Sequence, residues 1–497
     1  MAGGEVRRCT GCRALLSQYN RGTRCGACSR DARLAAAPEL WATAQIAEAL
    51  AKWDVGTVLR LYRTHTGARQ MTLAAAFKVD QSVISRLENG RRGVADRRQI
   101  LEITQKLGVP DSLLPALPAQ EDVVVQHGAL WLPSVDEVLS RLGLLTGVDV
   151  NVRVADIAAD EGPESVLDVL LAWADSSQGD EVARVDRTGQ RVASADVQTL
   201  SIMSEAFADA DHRLGGGHAR STVAHYLSHV ALPLASAGRY TDHVGRLLFT
   251  EVARLADVAG FMAFDAGQQN LARRYFACGL RLAKAAENYV LAAHILTDLS
   301  MQAVHLDHPG SAVATAQAAI EAAVMGSSPT TLARCHAVAA RAAASANDPM
   351  ASDRHLVQAE RFLDRRCGSD EPRWISFFSV RQLTVEAMYA SRALGRTSYV
   401  QRHADAAHLD EAAVDAMPRR DVLANTTLAM SYLQPDHTDV EHACAVMTGC
   451  LPLIGQLTSA RAQAAIEQTR RRLADFSANA AVKELDAAFA LAGGIDG

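Results

Sequence analysis

GARQMTLAAAFKVDQSVISRLENGRR, residues Gly67 to Arg92, reads as two short helices joined by a tight turn. In the first, near Gln70–Phe77, Leu73, Ala74 and Phe77 fall on one side, the spacing of a helix with one buried face. Asp80 is placed to cap a second helix, because its carboxylate accepts from the free N–H groups of the first turn. That helix runs over Gln81–Glu88 and stops at Asn89-Gly90, a C-terminal signal. At about 100° per residue, Ile84 and Leu87 point one way with Val83 at their margin, and Gln81, Ser82, Ser85 and Arg86 point the other. So short a helix is stable only when its apolar side is docked, which leaves amide, hydroxyl and guanidinium groups facing outward. Such groups read base edges and hold phosphates. Arg91, Arg92, Arg97 and Arg98 follow at once. The bland alternative, a small helical hairpin with a solvated polar face, does not require turn, cap, faces and flanking arginines to agree.

Charge supports contact with a polyanion. Net charge over the 497 residues is −6, yet residues 1–110 hold 18 Lys+Arg against 9 Asp+Glu and the remainder is strongly acidic. A basic head on an acidic body suits a protein whose head alone meets nucleic acid. Aromatics are only 5% and alanine is abundant, which favours closely packed helices over sheets. No apolar run approaches the roughly 20 residues of a membrane span, and the N-terminus lacks a secretory h-region. A cytoplasmic, nucleoid-associated location is expected.

Four of the nine cysteines form two knuckles, Cys9-Thr-Gly-Cys12 and Cys25-Gly-Ala-Cys28. Each CxxC aims two thiolates at one point, and two such pairs complete a closed tetrahedral zinc site of the structural kind. A redox dithiol pair and an iron site are the other readings. Arginines surround this ribbon, which meets either DNA backbone or protein. Cys278, Cys335, Cys367, Cys444 and Cys450 lie scattered in apolar helices and read as small buried residues.

Pro38–Trp53 reads as a spacer helix, and Val55–Thr64 as the first helix of the DNA-binding domain, burying Val58, Leu59 and Tyr62. A further helix starts at Asp96 and closes at Gly108. Pro110, Pro115 and Pro118 mark a linker. Residues 121–195 say least: Ser134–Leu145 looks helical, and Val182–Val192 suggests a hairpin. From about Ala195 the pattern is helical to the end, with breakers at Asp265-Ala-Gly267, His308-Pro-Gly310, Asn347-Asp-Pro349 and Gly395. Their spacing is that of helix-pair repeats, and the small residues around them suit stacked helical hairpins; an alanine-rich bundle is the plainer alternative. Gly215-Gly-Gly-His-Ala-Arg220 reads as a turn before a helix, and His225 and His229 on that helix as surface or core histidines and not metal ligands. No Ser/His/Asp or Cys/His grouping rises above chance, so no enzyme activity is expected.

The Gly67–Arg92 stretch closely resembles the Xre/Cro-type helix-turn-helix of bacterial and phage repressors. Gln70 stands where that family has the glutamine opening its second helix, and Gln81-Ser82 through Ser85-Arg86 where it has its recognition helix. The resemblance implies a structural ion pair between Arg63 and Glu88. Lys78 occupies a turn position that is usually glycine, and Arg69 replaces the usual Ser/Thr cap. The order of parts, including Leu16-Ser-Gln-Tyr-Asn20 in the ribbon, is similar to regulators abundant in Streptomyces and related actinobacteria.

The expected fold is therefore mainly α. It comprises a zinc ribbon (1–34), a spacer helix (35–53), a helix-turn-helix domain (54–110), a linker and uncertain region (111–195), and a tetratricopeptide-like α-solenoid (196–490). The expected DNA-binding residues are Gln70, Gln81, Ser82, Val83, Ser85, Arg86, Arg91 and Arg92, with zinc on Cys9, Cys12, Cys25 and Cys28. The expected function is a sequence-specific, homodimeric transcription regulator of double-stranded DNA whose solenoid senses a peptide, small molecule or protein. The competing expectation is a protein-interaction scaffold that uses the solenoid, with the basic head as a second protein-binding module.

Overall fold

Alanine, leucine and the long polar residues that dominate this sequence lose little rotamer freedom in a helix, and the described residues are helical nearly throughout. A computed structural model describes residues 37–51, 55–77, 81–88, 103–104, 106–110, 129–151, 164–175, 182, 189–365, 371–407, 417–435, 438–455 and 457–493. Two compact units divide the chain at Val123/Val124. Among the described residues there is no strand, only a bridge between Arg191 and Arg239. None of their helices is long and apolar enough to cross a membrane.

The first unit contains α1 (Pro38–Trp41), α2 (Ala44–Ala51), α3 (Val55–Thr66), α4 (Gln70–Phe77) and α5 (Gln81–Glu88). The single helix expected over Pro38–Trp53 is broken at its fifth residue. Thr43 turns its backbone N–H and its hydroxyl onto the Leu40 carbonyl, at 3.1 and 2.8 Å, and so closes the first helix after one turn. This break lets Leu40, Trp41, Ile46 and Leu50 join one apolar core with Val58, Leu59, Tyr62, Leu73, Ile84 and Leu87. Trp41 stacks on Tyr62 with ring centroids 6.0 Å apart. The presumed spacer is thus packed against the helix-turn-helix.

The second unit begins with α6 (Val135–Asn151) and α7 (Glu164–Ala174), in the region that the sequence left largely unread. Polar anchors explain why these helices dock. The fully buried Arg281 donates to the carbonyls of Leu132 and Pro133 at 3.2 and 2.7 Å. Lys284 donates to the carbonyls of Ala172 and Trp173 at the end of α7 and of Asp175 just beyond it, where a cation suits the helix dipole. The hairpin suggested over Val182–Val192 is not what its described part forms. Gln190 and Val192 instead pair with Arg239, through N–H···O distances of 2.8 and 2.9 Å.

After α8 (Ser194–Leu214), α9 (Gly216–Tyr226) and α10 (Leu232–Ala237) come three regular hairpins. They are α11 (Asp242–Asp265) with α12 (Gln269–Ala285), α13 (Tyr289–His305) with α14 (Pro309–Gly326), and α15 (Pro329–Ser345) with α16 (Pro349–Asp364). Left-handed residues Gly267, Glu287, Asp307, Ser327 and Asn347 recur every 20 residues, with φ between 54° and 81°. At four of these the next N–H reaches back to a carbonyl five residues earlier, as Gln268 does to Ala263 at 2.8 Å, which satisfies orphan helix-end groups. Two helices therefore make a 40-residue unit, longer than the 34 residues of a tetratricopeptide repeat. The series continues through α17 (Val380–Ala393), α18 (Thr397–Ala406), α19 (Pro418–Ser431), α20 (Val440–Ile454), α21 (Ala460–Ala474) and α22 (Ala480–Gly493).

The stack closes on itself. Arg419 on α19 grips Asp211 on α8 with two hydrogen bonds of 2.8 and 2.6 Å across 208 residues. Thr458 donates to the Leu214 carbonyl at 2.9 Å and accepts from the Gly217 N–H at 2.8 Å. Asp265, fully buried at the end of α11, accepts from the Gly216 N–H at 2.9 Å and the Ser459 hydroxyl at 2.8 Å, with Arg419 at 3.3 Å and Arg461 at 3.8 Å. Burial alone would push its carboxyl up; the two arginines, the N–H and the hydroxyl outweigh that and hold it below the usual carboxylate range. The glycines at this seam are required by space. A Cβ on Gly216 would lie 2.4 Å from the Met262 carbonyl oxygen. The Gly215–Arg220 turn is thus a closure point, and its Arg220 pairs with the buried Asp149.

Removing one partner of such a buried pair strands the other. Arg419→Met is expected to lower the stability of this unit by about 3–5 kcal/mol, with part restored in the Asp211→Asn/Arg419→Met double variant, measured by denaturation followed through tryptophan fluorescence.

Candidate functional site

In the first unit the outward face of α5 is presented by what lies beneath it. Ile84 and Leu87 are buried, at 1% and 6% exposure, and hold the helix to the core. Gln81 and Arg86 are exposed, Ser85 is half-buried, and Val83 packs against the edge of the core. Glu88 is buried and accepts a forked pair of hydrogen bonds from Arg63, Nε to Oε1 at 2.6 Å and Nη2 to Oε2 at 3.1 Å. The ion pair implied between α3 and α5 is therefore present.

The network extends further than the sequence indicated. Gln70 Nε2 donates to Glu88 Oε2 at 2.7 Å, and Gln81 Nε2 donates to Gln70 Oε1 at 2.8 Å. Gln70 thus has its side-chain amide engaged on both sides, within the protein, and orients Gln81. Its amide is a link between the ion pair and the exposed face; the backbone entry to α4 starts at Arg69, whose carbonyl accepts from Thr72 at 2.9 Å in place of a side-chain cap. Lys106 Nζ closes the other end of α4 on the Ala76 carbonyl at 3.1 Å. Lys78, Asp80, Arg91, Arg92, Arg97, Arg98, the side chain of Ser82, and Cys9, Cys12, Cys25 and Cys28 lie outside the described residues.

With this geometry in view, the comparison with known families is specific. Residues 54–117 match the helix-turn-helix domain family. The match begins just before α3 and takes in α4 and α5. No significant match to the chain is found among curated proteins or among solved structures.

The second unit holds a chamber inside its ring, with a cavity volume of ≈ 150 Å³. The odd-numbered helices α11 to α21 and the segment around Trp374 and Phe377 face it. On one wall Arg334 donates to Asp298 at 2.5 Å and to His294 Nδ1 at 3.0 Å. A guanidinium only donates, so Nδ1 accepts and the imidazole proton sits on Nε2, which faces Asp257 and Asp298 at 3.4 and 3.5 Å. Burial pushes the His294 pKa down to about 3, reinforced by Arg334, so the ring is neutral. Asp257, His294 and Asp298 place ligand atoms within 4.8 Å of one another. That trio has the make-up of a cation site, yet its imidazole offers a proton and not a lone pair, and Arg334 already supplies the positive charge.

The histidines near the ring seam are engaged in the protein. His225 and His229 stack at 4.0 Å, and His229 Nδ1 lies 2.6 Å from the Ser228 hydroxyl. Cys278, Cys335, Cys444 and Cys450 are buried, and burial pushes the Cys278 thiol up to about 12. They are packing residues.

Glu88→Ala removes the acceptor on which both Arg63 and Gln70 close. It is expected to cost the first unit about 1.5–3 kcal/mol, read as roughly 10- to 100-fold faster hydrogen exchange at the Ile84 and Leu87 amides.

Proposed function

We infer that the chain is a sequence-specific DNA-binding transcription regulator. The observation that carries this is the α5 face, where Gln81, Ser85 and Arg86 project from a helix docked by Ile84 and Leu87 and oriented by the Arg63–Glu88–Gln70–Gln81 network. In this reading the face enters the major groove. Arg86 is suited to bidentate contact with guanine and Gln81 to adenine, while Arg91 and Arg92 hold phosphates. The chain acts as a homodimer on two half-sites, in the cytoplasm at the nucleoid. The ring-shaped unit senses an effector, whose differential affinity for two dimer geometries shifts operator binding. Cys9, Cys12, Cys25 and Cys28 hold one structural zinc ion.

Selection of genomic DNA fragments by the purified protein at near-physiological salt tests this reading. A palindromic motif is expected. Arg86→Ala should weaken binding to it by about 1–3 kcal/mol, and affinity should fall steeply with salt. Failure to enrich any motif, together with retention of protein partners after deletion of residues 1–110, would favour the scaffold reading.

Zinc loading is separable from DNA recognition. Elemental analysis is expected to give one zinc per chain, lost in Cys9→Ser/Cys12→Ser; metal content unchanged in that variant would place the zinc elsewhere.

A further inference from the structure

Most arginines that face the chamber are matched. Arg419 has Asp211 and Asp265, Arg334 has Asp298, and Arg254 has Glu251 at 3.0 Å. Arg341 and Arg461 depart from this rule, as does Arg392 in an adjoining hollow. Arg341 comes only within 3.6 Å of Glu386 and lies on the Tyr389 ring at 4.6 Å. Arg461 lies over Phe264 at 4.1 Å and stands 3.8 Å from Asp265, a carboxylate already held by Arg419, Gly216 and Ser459. Arg392 makes no ion pair among the described residues and reaches only the Thr427 hydroxyl, at 3.5 Å.

These three arginines line one hollow of ≈ 380 Å³, together with Thr426, Thr427 and Gln468. Arg392 stands exposed at its mouth, whereas the side chains of Arg341 and Arg461 are 17% and 10% exposed at its floor. The floor is shared: Arg341, Tyr389, Leu423 and Arg461 line both this hollow and the inner chamber, where Phe261, Trp374 and Phe377 add aromatic surface. Crowding of like charge is felt there. Burial, with repulsion from Arg419 and Arg341, pushes Arg461 down to about 10. A set of close, half-dry guanidinium groups, two held only by long contacts to carboxylates and one by none among the described residues, is stabilised by an anion that enters from outside.

We propose that this hollow binds a small organic anion, a phosphate or carboxylate on an aromatic or apolar body. Arg341, Arg392 and Arg461 take the charged group, and the body lies on Tyr389 toward the chamber. Glu386 is the acid that competes with such a ligand for Arg341. Its Oε2 has no hydrogen-bond partner, and Gln382 holds its other oxygen at 3.3 Å. Binding at this site is independent of whether the first unit reads DNA; its use as an effector site rests on the regulator reading.

The test uses the full-length protein with 1-naphthyl phosphate and 1-naphthoate, against neutral 1-naphthol and cationic 1-naphthylmethylamine, by calorimetry and thermal shift. At least one of the two anions is expected to bind once per chain and raise Tm, and which of them binds tighter identifies the charged group. Arg341→Gln and Arg392→Gln should each weaken it about tenfold or more, with the Tm of each variant without ligand measured alongside so that lost binding is separated from lost stability. Glu386→Gln should bind the anion at least as tightly as the parent chain. Equal binding of the neutral or cationic compound, unchanged affinity in both arginine variants, or no anion binding at millimolar concentration would overturn the proposal. Operator binding is then measured with and without the bound anion; no change there would remove the effector role and leave the site standing.

Discussion

A single buried carboxylate governs the second unit. Asp265 stands at the end of α11, and groups from α9, α19 and α21 converge on it. Taking a carboxylate out of water costs several kcal/mol, and here that cost is offset by an N–H, a hydroxyl and two guanidinium groups. Without this junction, helical hairpins of 40 residues would stack into an open superhelix, since each contacts chiefly its neighbours. With it, the inner face becomes a walled chamber. The position of Arg461 beside the chamber, and so the charge of the adjoining hollow, follows from the same junction.

The first unit uses the same device on a smaller scale. Glu88 is buried beneath the face that α5 presents, and it fixes Arg63 and Gln70 while Gln70 fixes Gln81. A long amide side chain on a bare helix samples several rotamers; one held through a charge-assisted network is ordered before it meets a partner, so less entropy is lost on binding. Gln81 is exposed, and the buried acid decides, through Gln70, where it points.

Much of this was legible because it is local. Leu73, Ala74, Ile84 and Leu87 sit at helical spacing, and α4 and α5 have the bounds that their sequence signals imply. Glycine and proline marked the turns at Gly267, His308-Pro309, Asn347-Asp-Pro349 and Gly395. The intervening turns escaped notice because Glu287 and Ser327 adopt left-handed φ without being glycine or asparagine; only the even 20-residue spacing betrays them. Thr43 hid the break between α1 and α2, since its apolar neighbours keep a helical rhythm. Ring closure had no local signature at all. Asp211 and Arg419 are ordinary surface residues on any helical wheel, and only the fold brings them together. The charge pattern of the Arg341–Arg392–Arg461 hollow was out of reach for the same reason.

The seam also orders events during synthesis. Leu214 and Thr458 meet across 244 residues, and at about 5–20 residues per second the ribosome needs on the order of tens of seconds to deliver the second after the first. Through that interval α11 to α16 can pair as hairpins, each from its own local contacts, while Asp211 and Asp265 wait in water with no arginine to meet. Until Arg419 and Arg461 emerge, the nascent chain lacks the partners that close Asp211 and Asp265 into the seam. It becomes a ring only when its last quarter emerges, so a truncated product lacking that quarter is left with buried-type carboxylates exposed and a groove that never shuts.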